Sequence, residues 1–363
     1  MSVPVHGTTA RGFEGVRAAF ARVLERQGGA GASFAAWRGG RWVTDVWGGY
    51  AGAAGTRPWA ADTLVMPYSV TKPFAAVCAL VLAGRGVLDL DAPVQRYWPE
   101  MAARTTPRQM LAHRSGQVVI DEPMPAEAWQ DWDRVCAALA RQAPAWEPGT
   151  AHGESALFYG HLVGELVRRV DGRSLGRFLR DEVTGPLGLD FHIGLGPGEQ
   201  ARTADLTGFG AAFRRSLTAD RPSLLGPALA NPAGATDPAV VNGPAWRAAE
   251  VPAINGHGTA RSVAGLYAAL AHGRLLEKPL LDEMTRGNGT EVDRVLGGEP
   301  RAWGLGVLVE DDGWGMGGIG GSTGWWCTDG EYAVAYLTSH IADHTPATRI
   351  ENALREAIGL NTI

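Results

Sequence analysis

Strand-like patterns stand at both ends of this 363-residue chain, and helical periodicity fills the stretch between them. Near the start, Phe13, Val16, Ala19, Phe20, Val23 and Leu24 recur at helical spacing over residues 12–27, and Gly28, Gly29 and Gly31 stop the helix. Ser33 to Trp37 and Trp42 to Trp47 then read as two strands of a hairpin around Arg38-Gly39-Gly40. At the far end, Trp303 to Val309, Trp325 to Asp329 and Tyr332 to Thr338 read as strands, with a glycine-rich segment over Trp314 to Gly324 and a closing helix over 346–358. The middle predicts helices over 69–86, 127–142, 155–170, 174–182 and Arg261 to His272, plus a short one capped by Thr106 with Pro107 at its first position. Residues 185–260 are rich in Gly, Pro and Ala and predict loops and short helices. Strands from the two ends find partners most simply in one sheet, with the helical stretch inserted as a lobe. Residues 1–65 and 261–363 are therefore assigned to a sheet subdomain and 66–260 to a helical one, in a single globular unit with its site between them.

Composition excludes several functions. Net charge is −5, and no basic cluster is longer than the pairs Arg168-Arg169 and Arg214-Arg215, which argues against nucleic acid as a partner. Met1 to Arg11 lacks the charged-then-apolar pattern of a secretion signal, and the longest apolar run, Phe74 to Ala83, is too short to cross a bilayer. Cys78, Cys136 and Cys327 are far apart and odd in number, forming neither a metal spacing nor a disulfide framework. The expectation is a cytoplasmic protein with reduced cysteines, no membrane partner and no metal or cofactor. Oligomeric state is left open.

Of the 33 basic residues, all but Lys72 and Lys278 are Arg. Lys72 falls three residues after Ser69, in Tyr68-Ser69-Val70-Thr71-Lys72-Pro73, at the head of the apolar run. Arg stays protonated in proteins, whereas a buried Lys can release its proton and act as a base. Residues three apart share a helix face, with Cβ atoms about 5–6 Å apart. The positive end of the helix dipole favours an alkoxide on Ser69 and a neutral amine on Lys72. The pair thus reads as a serine nucleophile with its base. The plainer reading is an N-cap serine followed by a solvated lysine.

The Ser69–Lys72 segment resembles the first motif of the serine β-lactamases, penicillin-binding proteins and the related family VIII carboxylesterases and acyltransferases. Three further stretches agree in order. His113-Arg114-Ser115-Gly116 is similar to the family's His-x-Ser-Gly turn, Trp146-Glu147-Pro148-Gly149 to the Pro-Gly turn before its second motif, and Asn255-Gly256-His257-Gly258-Thr259-Ala260 to the segment before its final strands. The resemblance spans roughly residues 12–358. It implies an α+β fold with a five-stranded antiparallel sheet flanked by helices, a helical lobe, and a site between the two.

Two of the three family motifs depart from pattern. The second-motif Tyr falls on Glu154 and the Asn on Ala156; a shifted register would offer Tyr159 as the phenol. The third motif is Met316-Gly317-Gly318 where the family has Lys-Thr-Gly or His/Trp-x-Gly. A carboxylate at Glu154 can act as a general base toward water or an acyl acceptor, or can pair with Lys72 and hold it protonated. The Ser69 N–H can donate to an oxyanion, and the resemblance makes the Ile319 N–H, beside Gly318, the second donor. Trp325, Trp326 and Met316 are candidate pocket walls, with at least one of the two Trp expected in the core at strand spacing. His152, two residues before Glu154, is a candidate for the site lining, and a structural turn histidine is the plainer reading. Loss of the cationic or polar third-motif residue argues against carboxylate-bearing β-lactams and for small esters, amides or acyl donors.

Other motifs weaken on context. Gly320-Gly321-Ser322-Thr323-Gly324 matches a nucleophile elbow but lacks the following helix and the chain length for its partners. Gly315 to Gly320 matches Gly-x-Gly-x-x-Gly without a following helix. His340 and His344 are spaced like zinc ligands, but the Glu after the first is missing, and a surface loop is the reading. The expectation is a serine esterase, amidase or acyltransferase that forms an acyl-serine intermediate on a small molecule. The alternative is a relative with altered chemistry that serves as a binding protein or performs a specialised biosynthetic step.

Overall fold

The computed structural model describes residues 3–52, 54–210, 213, 217 and 224–363; Arg214-Arg215 and most of 211–223 lie outside them. Strand β1 (Val5–Thr9), helix α1 (Glu14–Arg26) and the hairpin β2 (Ala32–Arg38) and β3 (Arg41–Gly48) open the chain. The middle holds α2 (Lys72–Gly84), α3 (Pro107–Leu111), α4 (Trp132–Arg141) and α5 (Tyr159–Asp171), then a two-stranded ribbon of β4 (Phe191–His192) and β5 (His257–Gly258). After helix Ala260–Ala271 come β6 (Ala302–Trp303), β7 (Leu308–Glu310), β8 (Gly313–Gly317), β9 (Thr323–Cys327), β10 (Tyr332–Thr338) and the closing helix Thr345–Ala357.

The main sheet runs β1-β3-β2-β10-β9-β8-β7-β6, antiparallel throughout. β10 lies in its interior, paired to β2 from the start of the chain and to β9 from its end. Both ends of the sequence thus build one sheet. Side chains alternate faces along each strand. Phe34, Val334 and Tyr336 pack with Phe20 and Leu24 of α1 and Ile350 and Leu354 of the closing helix. Ala35, Ala333, Ala335 and Leu337 face the opposite way, toward Val263, Ala264 and Tyr267 of helix Ala260–Ala271. Small side chains on that second face leave room for a helix to lie close on the sheet.

Among the described residues the sheet has eight strands where five were expected. β1 is five residues broken by Gly7, too short to show alternation in sequence. The expected single strand from Trp303 to Val309 is two short strands, β6 and β7, paired to each other across a turn at 304–307. The α+β class with an antiparallel, helix-flanked sheet stands. In the helical region, α2 is buried along almost its whole length, from Lys72 to Leu82, and packs on α5. A helix apolar all round belongs in a core. All three cysteines are free and buried. Among the described residues, no helix is long and apolar enough to cross a membrane.

Candidate active site

Ser69 sits in a single turn of 3-10 helix, Tyr68–Thr71, that runs directly into α2. Pro73 takes the second position of α2, where a missing N–H costs no intrahelical bond. Tyr68, just before the serine, is held at φ 49°, a left-handed conformation that ordinary residues avoid. Its hydroxyl donates to the Ala235 carbonyl at 3.2 Å, so tertiary contact holds the unfavourable backbone.

Lys72 is fully buried and its Nζ is surrounded by oxygen. Nζ lies 2.7 Å from Ser69 Oγ, 3.0 Å from the Ala156 carbonyl and 3.3 Å from the Ala253 carbonyl. It also pairs with Glu154 Oε1 at 2.9 Å. The Ser69 hydroxyl is 3.2 Å from that same Oε1 and can donate to it. Serine, lysine and glutamate therefore form a closed triangle. Two close approaches make it possible. A Cβ on Gly160 would stand 2.2 Å from the Pro252 carbonyl carbon, so only glycine lets α5 cross the loop that carries the Ala253 carbonyl. A Cβ on Gly318 would stand 2.1 Å from the Pro67 carbonyl oxygen, so glycine there lets the end of β8 abut the turn before Ser69.

Burial drives the Lys72 ammonium below its ordinary pKa, and the Glu154 carboxylate opposes that in part. Burial alone would raise Glu154, yet the charge of Lys72 and the hydrogen bonds from Lys72 and Ser69 hold it below the ordinary carboxylate range. The two titrate as a unit across a 2.9 Å contact. An ammonium beside a carboxylate and an amine beside a carboxylic acid are two placements of the same single proton on this contact.

A cavity of about 440 Å³ opens over Ser69 and Glu154. Met316, Gly318, Ile319 and Trp325 line it, together with Trp303 and Leu296. Trp326 points to the other side of the sheet and packs edge-on against His272. Five of the residues singled out from sequence thus share one cavity with Ser69 and Glu154 or its immediate floor: Lys72, Met316, Gly318, Ile319 and Trp325. His152 does not. It is completely buried behind the wall, and its Nε2 meets the Glu291 carbonyl at 2.9 Å. Its closeness to Glu154 in sequence made it a candidate for the cavity lining, but its ring turns to the Glu291 carbonyl and it is a structural histidine. Tyr159 donates its hydroxyl to the Leu111 carbonyl at 3.2 Å within the core, stacked near His113. His113 accepts from the Ser155 N–H at 3.2 Å, and burial lowers its pKa to about 3, so it is a neutral brace.

Two residues escaped the sequence reading. Asp293 is buried and accepts from the backbone N–H of Glu154 at 2.9 Å. His344, read as part of a surface loop, does lie in one, but it also lines the cavity beside Gly317 of the third motif. Neither carries a local signal, since each is brought in from another segment. Ser322 of the elbow-like sequence is structural: its carbonyl accepts from Gly318 N–H at 2.8 Å and its hydroxyl from Thr338 N–H at 3.2 Å.

Residues 16–357 match the beta-lactamase family model. The chain belongs to the beta-lactamase family. It is 31% identical to the esterase/beta-lactamase LipL of Mycobacterium tuberculosis, over 97% of this chain and 88% of that protein. A family VIII carboxylesterase structure superimposes with a TM-score of 0.87 at 34% identity, covering 98% of this chain and all (100%) of the other. A penicillin-binding protein homologue from Caulobacter crescentus superimposes with a TM-score of 0.85 at 30% identity, covering 98% and 100% of the two chains.

Proposed function

We propose that the protein is a serine hydrolase of esterase or amidase type, with acyl transfer as the variant outcome, acting on small esters or amides through an acyl-Ser69 intermediate. The observation that carries this is the triangle of Ser69, Lys72 and Glu154 at the floor of the cavity. Membership of a family that includes an esterase/beta-lactamase and a carboxylesterase supports it.

Both positions of the shared proton lead to one activated state. With ammonium and carboxylate, the Ser69 proton passes to Glu154; with amine and carboxylic acid, it passes to Lys72. Either way the product is Ser69 alkoxide, Lys72 ammonium and neutral Glu154. The alkoxide adds to the substrate carbonyl carbon, and the N–H groups of Ser69 and Ile319 receive the developing oxyanion. The N–H of Gly318 is engaged with Ser322, which leaves Ile319 as the donor from that turn. Collapse breaks the ester or amide bond, and the leaving group takes the proton from the Lys72–Glu154 pair. Water then gives its proton to the pair, attacks the acyl group and restores the Ser69 hydroxyl. An alcohol in place of water makes the second step a transfer. The cavity's apolar lining of Leu296, Trp303, Met316 and Trp325 suits apolar or aromatic groups.

The decisive measurement is intact mass after exposure to a fluorophosphonate or p-nitrophenyl acetate. An adduct on Ser69 is expected, absent in Ser69→Ala, with Lys72→Ala acylating far more slowly. The buried ion pair is also what a binding protein with disabled chemistry would show. No adduct, with ligand retention in the same cavity, would decide for that reading.

A further inference from the structure

We infer that Asp293 is a positioning residue for Glu154, an inference that rests on Glu154 acting in proton transfer. Asp293 is a buried acid with no cationic partner in contact among the described residues; backbone and indole N–H groups surround it instead. Its Oδ2 accepts from Glu154 N–H at 2.9 Å and from Trp303 Nε1–H at 2.9 Å. Its Oδ1 accepts from Val295 N–H and Leu296 N–H, each at 2.8 Å, and lies 3.2 Å from Glu154 N. One carboxylate therefore fastens three separate segments: the turn that carries Glu154, the loop after Asp293, and strand β6.

What it fastens is functional. Leu296 and Trp303 line the cavity, and Glu154 touches both Ser69 and Lys72. The same loop is tied to the Glu154 turn a second time, since Arg294 N–H donates to the His152 carbonyl at 3.1 Å. Glu154 itself stands on irregular chain, with no helix or strand to fix its backbone. A carboxylate that accepts several N–H bonds is a stiff anchor, because each donor would be orphaned in the interior without it. The geometry holds Oε1 of Glu154 at 3.2 Å from the nucleophile and 2.9 Å from the amine.

Asp293→Asn keeps the size and turns one acceptor oxygen into a donor. In the orientation that keeps Val295 and Leu296 satisfied, the new NH₂ faces the N–H groups of Glu154 and Trp303. Expected for D293N, per Ser69 site counted by fluorophosphonate titration, is a fall in kcat/KM on the order of tenfold to a hundredfold, as for a misplaced reacting group. Its acid limb should move up in pH toward that of Glu154→Gln. The D293N/E154Q double variant should be no slower than E154Q alone. If D293N does not fold, D293N/W303F removes the indole donor from the clash and leaves only the Glu154 N–H opposed, and the same readouts apply relative to W303F, because Trp303 also lines the cavity. An unmoved acid limb, or a double variant slowed by the product of the two single effects, overturns the inference while leaving Glu154's role intact. An E154Q enzyme with wild-type rate and profile overturns that role, and the inference with it.

Discussion

At the scale of residues, the proposed chemistry turns on what a carboxylate does at the position where the family pattern puts a phenol. A tyrosine with its ordinary pKa near 10 is neutral at pH 7, whereas Glu154 in the proposed cycle shares a proton with a buried Lys72 at 2.9 Å. This has a consequence for pH. When Lys72 is an ammonium and Glu154 is also protonated, nothing can accept the Ser69 proton. Activity therefore falls as pH drops through the Glu154 pKa, which Lys72 holds below the ordinary value of 4.5. The kcat/KM profile should stay flat down to about that pH. In E154Q only neutral Lys72 can accept. Its amine is held below 10.5 by burial and has lost the neighbour that raised it. Activity then rises with pH through the Lys72 pKa, so the acid limb appears at higher pH and the rate falls by about 10²–10⁴-fold, the usual worth of a placed proton acceptor. A stopped-flow pH profile of acylation checks both, and an acid limb that stays where it was argues against shared proton transfer.

Elements matter here chiefly for how closely they approach. The turn carrying Ser69 is positioned by β8 on one side and by the α5–loop crossing on the other, each through a single glycine. Gly318→Ala must push the Met316–Ile319 segment away from Pro67, which withdraws the Ile319 N–H from the oxyanion. A loss of roughly 10²–10³-fold in kcat with little change in KM is expected, the scale of one lost oxyanion donor. Steady-state kinetics on p-nitrophenyl acetate read it, and a change confined to KM would remove Ile319 from that role. Gly160→Ala forces α5 off the 252–253 loop and moves the Ala253 carbonyl from Lys72. Overpacking of this kind costs about 1–3 kcal/mol, visible as a lower Tm. Helix limits were legible where apolar spacing and caps agree. Thr106 forms a capping box with Gln109 on α3, and helix Ala260–Ala271 begins at Thr259, capped with Ser262. They were less legible where Pro73 sits one residue into α2 and turns Ser69's segment into 3-10 helix.

For the molecule as a whole, the sheet closes only when β10 meets β2, residues some three hundred positions apart. Pairings so distant in sequence form late and bury strands whose side chains are wholly inaccessible. Native-state hydrogen exchange should find the β10 amides, Tyr332 to Thr338, opening only with global unfolding, whereas exposed turns such as Gly39-Gly40 exchange by local opening. Fast exchange in β10 would contradict a sheet stabilised from its middle. By itself the sequence determined the class of the fold and the pairing of Ser69 with Lys72, because both are written locally. Alternation marks strands, 3.6-residue spacing marks helices, and Ser69 and Lys72 lie one helical turn apart whatever surrounds them. It also placed Glu154, through the count from Pro148-Gly149. Tertiary structure alone decided that His152 lies behind the wall and Tyr159 in the core, that His344 joins the cavity, and that Asp293 grips the backbone of Glu154. Those relations join separate segments, 48 residues apart for Tyr159 with Leu111 and 139 for Glu154 with Asp293, and short-range chemistry carries no record of which distant oxygen will meet which donor.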